Sequence, residues 1–362
     1  MASTLEADQV NRFLSEAQKT ITSGEHITVV LGNEAADLDS MQASVLYAYF
    51  LNATSGVAAV PVINIPRQDF KLRTEAVYLI TQAGINPDHL IFADEIDLTA
   101  LQERRALSVV LVDHNRLAAP QEALSGVVTG IIDHHRDEEL FPAAAPRIIE
   151  PVGSVATLVA ERMMAEKKEL MTGGVALLLL GTILLDTVNL DPEAQRATEK
   201  DITTVETLLG ITGVDRQQLF DDLQREKFNV SALDTPDLLR KDYKEWQMGA
   251  VKVGIASVLL PITDWLEKDT SLATSMGTYA SARSLDVLIS MNAYTAPSFT
   301  RELAVYCENE ELRSRLLAFL AESDLQLKEI APSASDALSY YHQGHLGYSR
   351  KKLQPLLNDF FS

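Results

Sequence analysis

The chain has 362 residues, 46% hydrophobic and 23% charged, so it is long enough for two cores and too apolar for long disordered tracts. Its 31 basic and 51 acidic residues give a net charge of −20, which opposes nonspecific attraction to nucleic acid or to an anionic membrane. The single cysteine, Cys307, excludes an internal disulfide and a cysteine-based zinc site, and fits a reducing cytoplasm.

Residues 1–25 are polar and helix-like (ADQVNRFLSEAQKTI at 7–21), without the apolar stretch of a signal peptide. Short, β-branched, nearly continuous apolar runs follow at 26–32 (HITVVLG), 57–65 (VAAVPVINI), 106–113 (ALSVVLVD) and 127–133 (VVTGIID), the texture of parallel strands buried on both faces. Helical spacing separates them at 39–51 and 73–83, so the alternation predicts an α/β fold with a doubly wound parallel sheet. Two further helices are expected at 154–168 and 173–185, then an Asp191-Pro192 turn and a helix at 196–209. The longest apolar run, 175–188, is too short for a bilayer span and carries Asp186 near its end. From Gly213 the texture changes. AVKVGIASVLL (250–260), LDVLISMNAY (285–294) and TRELAVYCE (300–308) alternate like strands of a mixed or antiparallel sheet, flanked by helices at 215–226 and 309–322. A domain boundary is expected near residue 212, giving units 1–212 and 213–362.

Four aspartate-bearing segments sit where the apolar elements give out: GNEAADLDS (32–40), VVLVDHN (109–115), GIIDHHRDE (130–138) and LLDTVNLD (184–191). Loops leaving the carboxyl ends of parallel strands lie over the sheet crevice, and carboxylates joined by imidazoles there form the donor set of a divalent metal centre. Asp37 and Asp39 are able to bind different cations; the ordinary alternative is that Asp39 or Ser40 caps the following helix. Asp113 ends a wholly apolar strand, and its two oxygens suit a bridge between two cations, although a lone strand-end aspartate more often bonds loop amides. Successive side chains of an extended strand point to opposite sides. One of His134 and His135 can therefore ligate metal while the other faces substrate, with Asp133 orienting an imidazole from behind. Asp186 ends the helix GGVALLLLGTILLD, where the helix dipole disfavours a carboxylate unless a cation compensates; otherwise it is an exposed residue bonded to Thr187 or Asn189. Later, LLRKDYKEW (238–246) and GYSRKKLQPLL (347–357) gather Arg240, Lys241, Lys244, Arg350, Lys351 and Lys352, two basic faces that together suit phosphate oxygens.

In these segments the chain resembles the DHH phosphoesterase superfamily, named for the triplet at 133–135. More narrowly it resembles the branch with a DHHA2-type C-terminal domain, which holds manganese-dependent family II inorganic pyrophosphatases, cytosolic exopolyphosphatases and prune proteins. Four motifs in order, then KDYKEW and SRKK, carry the likeness over nearly the whole chain. The resemblance implies a metal-binding catalytic DHH domain followed by a smaller, substrate-binding DHHA2 domain. It implies that Asp37, Asp39, Asp113, His134 and Asp186 hold two divalent cations, Mn2+ or Mg2+, with Asp113 shared. His135, Lys244, Arg350 and Lys351 would contact substrate phosphates, and Asp113, His135 and Arg350 would carry the chemistry. Family II pyrophosphatases have a histidine where this chain has Asn33, whereas GNExADxDS is the exopolyphosphatase and prune form. An amide oxygen, or no ligand at all, in place of an imidazole weakens the preference for softer metals. The expected activity is release of orthophosphate from the ends of inorganic polyphosphate by two-metal-ion hydrolysis. The alternatives are a manganese-dependent pyrophosphatase, or a prune-like short-chain polyphosphatase or nucleotide phosphodiesterase. No nucleic-acid or membrane partner is expected, and the chain is expected as a monomer or homodimer.

Overall fold

The computed structural model describes residues 2–295, 298–330 and 335–362, with side chains described from residue 9 onward. The chain divides into two compact units, Met1–Phe228 and Asn229–Ser362. In the first unit the elements run α1 (Ala2–Ile21), β1 (Ile27–Leu31), α2 (Leu38–Ser55), β2 (Ala59–Val62), α3 (Thr74–Gln82), α4 (Leu98–Glu103), β3 (Leu107–Val112), β4 (Val128–Asp133), β5 (Arg147–Ile149), α5 (Val155–Glu166), α6 (Gly173–Asp186), α7 (Glu199–Thr212) and α8 (Arg216–Lys227). The boundary falls later than residue 212. The reason is packing: Leu219 and Leu223 of α8 are buried in the same core as α3 and α6.

The first sheet is parallel throughout, in the order β2-β1-β3-β4-β5. Because strand side chains alternate, Val30, Val110, Val112 and Ile132 enter one core while Val29, Leu31, Val109, Leu111 and Ile131 enter the other. Both faces are thus covered, which is why these strands read as unbroken apolar runs. Two helices lie deepest. Leu38 to Phe50 of α2 are all buried, as are most residues of α6, so neither shows the one-sided stripe of a surface helix. Each fully buried Leu, Ile or Phe on them contributes about 1.5–3 kcal/mol. The chain leaves β1 toward β2 on one side and returns to β3 on the other, which opens a crevice at the carboxyl ends of β1 and β3, where the topology switches direction.

The second unit runs α9 (Thr235–Lys241), β6 (Tyr243–Met248), β7 (Val251–Val258), α10 (Ile262–Lys268), α11 (Leu272–Ala282), β8 (Val287–Tyr294), β9 (Thr300–Tyr306), α12 (Glu310–Glu322), β10 (Leu327–Glu329), β11 (Leu338–Gln343) and α13 (Arg350–Phe361). Its six strands form a mixed sheet in the order β10-β11-β9-β8-β7-β6, parallel at β7 and β8 and antiparallel elsewhere. Leu316 and Leu320 of α12 and Leu353 and Leu357 of α13 close its core. No helix among the described residues is long and apolar enough to cross a membrane.

Candidate metal centre

A cavity of about 340 Å³ lies over the carboxyl ends of β1, β3 and β4 in the first unit. It is lined by Asp37, Asp39, Asp113, His134, His135, Val152, Gly153, Asp186 and Arg196. All six carboxylate and imidazole residues proposed from the sequence as metal or phosphate contacts in this unit meet there. Asp37 is the N-cap of α2, its Oδ1 accepting from the Ser40 amide at 3.1 Å. Asp39, two residues on, reaches the start of α5 rather than the amides of its own helix. Its carboxylate accepts from Ser154 Oγ (2.7 Å) and from the amides of Val155 (2.7 Å) and Ala156 (2.9 Å), so it caps α5 instead. The capping role open to Asp39 or Ser40 thus belongs to Asp37. Ser40 Oγ accepts from the Asn33 amide at 2.7 Å, and a Cβ on Gly32 would collide with it, so the turn out of β1 requires glycine.

Asp113 follows β3 with a left-handed backbone (φ 62°), a conformation that costs a non-glycine residue roughly 1–2 kcal/mol. Asn33 holds it there. The Asn33 Nδ2 donates to Asp113 Oδ2 at 2.7 Å and to its carbonyl at 3.2 Å, while Asn33 Oδ1 accepts from the amides of Ala35 (3.0 Å) and Ala36 (3.1 Å). The amide oxygen is therefore occupied, and the group Asn33 turns toward the site is a donor, which cannot ligate a cation.

His134 Nδ1 donates to Val152 O at 2.9 Å, leaving Nε2 3.2 Å from Asp113 Oδ1 and 3.7 Å from Asp39 Oδ2. His135 turns the other way, its Nδ1 donating to Asp133 Oδ1 at 2.8 Å with 58% of its side chain exposed. Asp133 also accepts from the amides of His134 (2.8 Å) and His135 (3.2 Å) and from Asn115 Nδ2 (2.5 Å). It is fully engaged in orienting His135 and in fixing the end of β4.

The electrostatics are those of too many carboxylates in too little water. Burial, then the charge of Asp39, pushes Asp113 up to about 7. Asp39 is raised by burial against the pull of His134, and Asp186 stands well above the carboxylate range through burial and the charges of Asp39 and Asp37. Burial alone would lower His134, but the Asp113 carboxylate, with Oδ1 3.2 Å from Nε2, and the Asp39 charge outweigh this and push it up to about 10. His135 is raised chiefly by its bond to Asp133. Two oxygens, Asp113 Oδ1 and Asp186 Oδ2, are buried with no hydrogen bond. Orphaned carboxylate oxygens facing one imidazole nitrogen fit a divalent cation, and Asp113, His134 and His135 bring ligand atoms within 4.8 Å of one another. Asp186 is thus neither exposed nor satisfied by its helix end.

Sequence reasoning missed the frame around these groups. Asp201, buried at the start of α7, accepts from the Gly153 amide (2.8 Å), Thr157 Oγ1 (2.6 Å), and the Thr198 amide and hydroxyl (both 2.7 Å). The Thr198-x-x-Asp201 spacing is a helix-start signal that could have shown it. That start also moves the helix expected at 196–209 to Glu199–Thr212, placing Arg196 in the loop that reaches the cavity.

The other expected phosphate contacts lie in the second unit. Arg350, opening α13, donates through Nη1 to Asp242 O (2.8 Å) and through Nη2 to Asp242 Oδ1 (2.5 Å), which brings SRKK beside KDYKEW at the start of β6. Lys244 and Lys351 are exposed, whereas Arg240 pairs with Asp237 at 2.7 Å.

Residues 27–182 match the model of the DHH family N-terminal domain, and residues 221–360 match that of the DHHA2 domain. The chain is 37% identical to a mouse (Mus musculus) protein named exopolyphosphatase PRUNE1, over 97% of this chain and 79% of that protein. It is 34% identical to a putative exopolyphosphatase of Schizosaccharomyces pombe, over 97% and 95%. A manganese-dependent inorganic pyrophosphatase of Methanothrix thermoacetophila is 26% identical over 72% and 79%. Fold, cavity and relatives together define a metal-dependent phosphoanhydride hydrolase. More narrowly, the chain belongs to the DHH family, and its C-terminal part is a DHHA2 domain.

Proposed function

We propose that this protein is an exopolyphosphatase that removes orthophosphate from the ends of inorganic polyphosphate with two divalent cations. The observation that carries the reading is the convergence of Asp37, Asp39, Asp113, Asp186 and His134 on one cavity, with orphaned oxygens on Asp113 and Asp186. Those five residues would hold the cations, Asp113 shared between them. Bound there, the metals would supply Lewis acidity toward phosphoryl oxygens and lower the pKa of a water molecule.

The chain's own groups do the rest. Val152 O fixes the His134 tautomer that presents Nε2 to the carboxylates, and Asn33 holds Asp113 in its strained turn. His135, anchored through Nδ1 on Asp133, keeps Nε2 for the nonbridging and leaving oxygens of substrate. Lys244, Arg350 and Lys351 supply the further positive charge that a polyanion requires on a chain of net charge −20. Two considerations favour polyphosphate over pyrophosphate. The relatives named exopolyphosphatase match at 37% and 34% identity against 26% for the pyrophosphatase, and an occupied Asn33 oxygen leaves the site one soft ligand short, which favours Mg2+ alongside Mn2+.

The test is phosphate release from pyrophosphate, tripolyphosphate, long-chain polyphosphate and cyclic AMP, each with Mg2+ and with Mn2+. Long polyphosphate should turn over much faster than pyrophosphate. The reverse order assigns the protein as a pyrophosphatase, and preference for the cyclic nucleotide assigns it as a phosphodiesterase.

A further inference from the structure

Arg196 is the only lysine or arginine among the described residues that line the metal-centre cavity. Its guanidinium has no hydrogen bond and no ion pair to any described residue, although four aspartates line the same wall. Its backbone, by contrast, is held closely. A Cβ placed on Gly153 would stand 2.7 Å from Arg196 O and 2.5 Å from Thr187 Cγ2, so the loop is packed directly against the cavity wall. Asp201 ties both sides of that contact together, accepting from the Gly153 amide on the wall and from Thr198 two residues beyond Arg196. The loop reaches this place through left-handed backbone at Val188, Asn189, Leu190 and Gln195, a path that bulky residues rarely take. A fixed main chain carrying an uncommitted guanidinium, at the mouth of a cavity built from carboxylates, is the arrangement of an anion-binding arm.

From this we infer that Arg196 is a phosphate-binding residue of the first unit. It grips the nonbridging oxygens of the phosphoryl group bound at the metal centre by paired N–H···O bonds, and the Asp201–Gly153 contact sets its position. This rests on the reading of the cavity as a phosphoanhydride site. It adds to Lys244, Arg350 and Lys351 a cation from the DHH domain itself. A guanidinium suits the task better than an ammonium because its planar fork matches two oxygens at once and it remains charged at every working pH.

The experiment compares wild type with Arg196→Gln and Arg196→Lys by three readouts. These are KM and kcat on long-chain polyphosphate with Mg2+, equilibrium binding of imidodiphosphate with Mg2+ by calorimetry, and Mn2+ binding without anion. Loss of a charge-assisted pair should weaken imidodiphosphate binding and raise KM by about tenfold to a hundredfold in Arg196→Gln, with Mn2+ affinity changed by less than about twofold. Arg196→Lys should recover part of the loss. A folded Arg196→Gln with wild-type KM and imidodiphosphate affinity overturns the inference, and so does a variant whose Mn2+ affinity falls in parallel. Failure of the exopolyphosphatase reading looks different: wild type would bind imidodiphosphate in an Arg196-dependent way yet release no phosphate from polyphosphate.

Discussion

Replacing Asp113 by Asn should raise the stability of the metal-free protein while abolishing its activity. The carboxyl is 2% exposed and pushed from the usual 3.8 to about 7, so at pH 8 keeping it charged in the folded chain costs about 4 kcal/mol relative to the unfolded chain. An asparagine of the same shape removes that cost and still offers an oxygen to Asn33 Nδ2, now 2.7 Å from Asp113 Oδ2. That cost is already net of the attraction of His134 Nε2, 3.2 Å from Oδ1, which holds the Asp113 pKa below where burial alone would put it. The gain is about 4 kcal/mol, or roughly 8–16 °C in Tm for a unit of this size. The sign depends on pH. A raised carboxyl pKa contributes stability that is full below about 4 and disappears as pH climbs through about 7, so wild type should soften between pH 5 and 8 more than Asp113→Asn, which keeps only the raised Asp39 and Asp186 carboxyls and His134. Calorimetric melting in EDTA at pH 5 and pH 8 measures this. With excess Mn2+ the order should invert, because only wild type keeps the carboxylate proposed to be shared by the cations, and the variant's rate should fall by at least about a thousandfold. A metal-free variant that melts below wild type at pH 8, or one that keeps a tenth or more of the activity, refutes the reasoning.

Three further outcomes are expected. Since Asp113 must shed its proton to take a cation, the rise in Tm caused by saturating Mn2+ should be larger at pH 8 than at pH 6; an equal rise would remove Asp113 from the ligand set. Asp201→Ala strands four donors around a buried position and should lower unfolding stability by about 3–5 kcal/mol in urea titrations, while a loss below 1 kcal/mol would show that the Gly153, Thr157 and Thr198 bonds are replaced by water. Asn33→His offers an imidazole in place of a donor amide, so the ratio of Mn2+-supported to Mg2+-supported rate should rise; an unchanged ratio would place residue 33 outside the reach of the cations.

Much of this molecule could be read in one dimension because its strongest signals are local. Strands covered on both faces must be apolar along their whole length, and the runs at 26–32, 57–65, 106–113 and 127–133 contain β1 to β4. The helices expected at 39–51, 73–83, 154–168 and 173–185 became α2, α3, α5 and α6; α2 and α6 are buried along most of their length, which leaves little freedom in composition, whereas α3 buries one side. Strands with a polar face were harder. The strand β6, YKEWQM, has one buried residue in six, and β5 has none, so nothing in their composition separated them from loop. The compact units divide at Phe228 and Asn229 rather than near residue 212 because the two buried leucines of α8 join the first core, and they carry no mark in the sequence of which core they will join.

The sequence by itself determined which chemistry was available: carboxylates and imidazoles at the ends of buried elements, in an order that few chains share. Only the tertiary structure decided what each group does. It made Asp37 rather than Asp39 the cap of α2, turned Asn33 into a donor that holds Asp113, and gave His134 to the carboxylates and His135 to Asp133. It also brought Arg196 to the cavity through Asp201 and Gly153, positions with no periodicity to betray them. The division has a physical cause. Burial is written into composition residue by residue, whereas the partner of a polar atom depends on which distant backbone the fold carries within 3 Å of it.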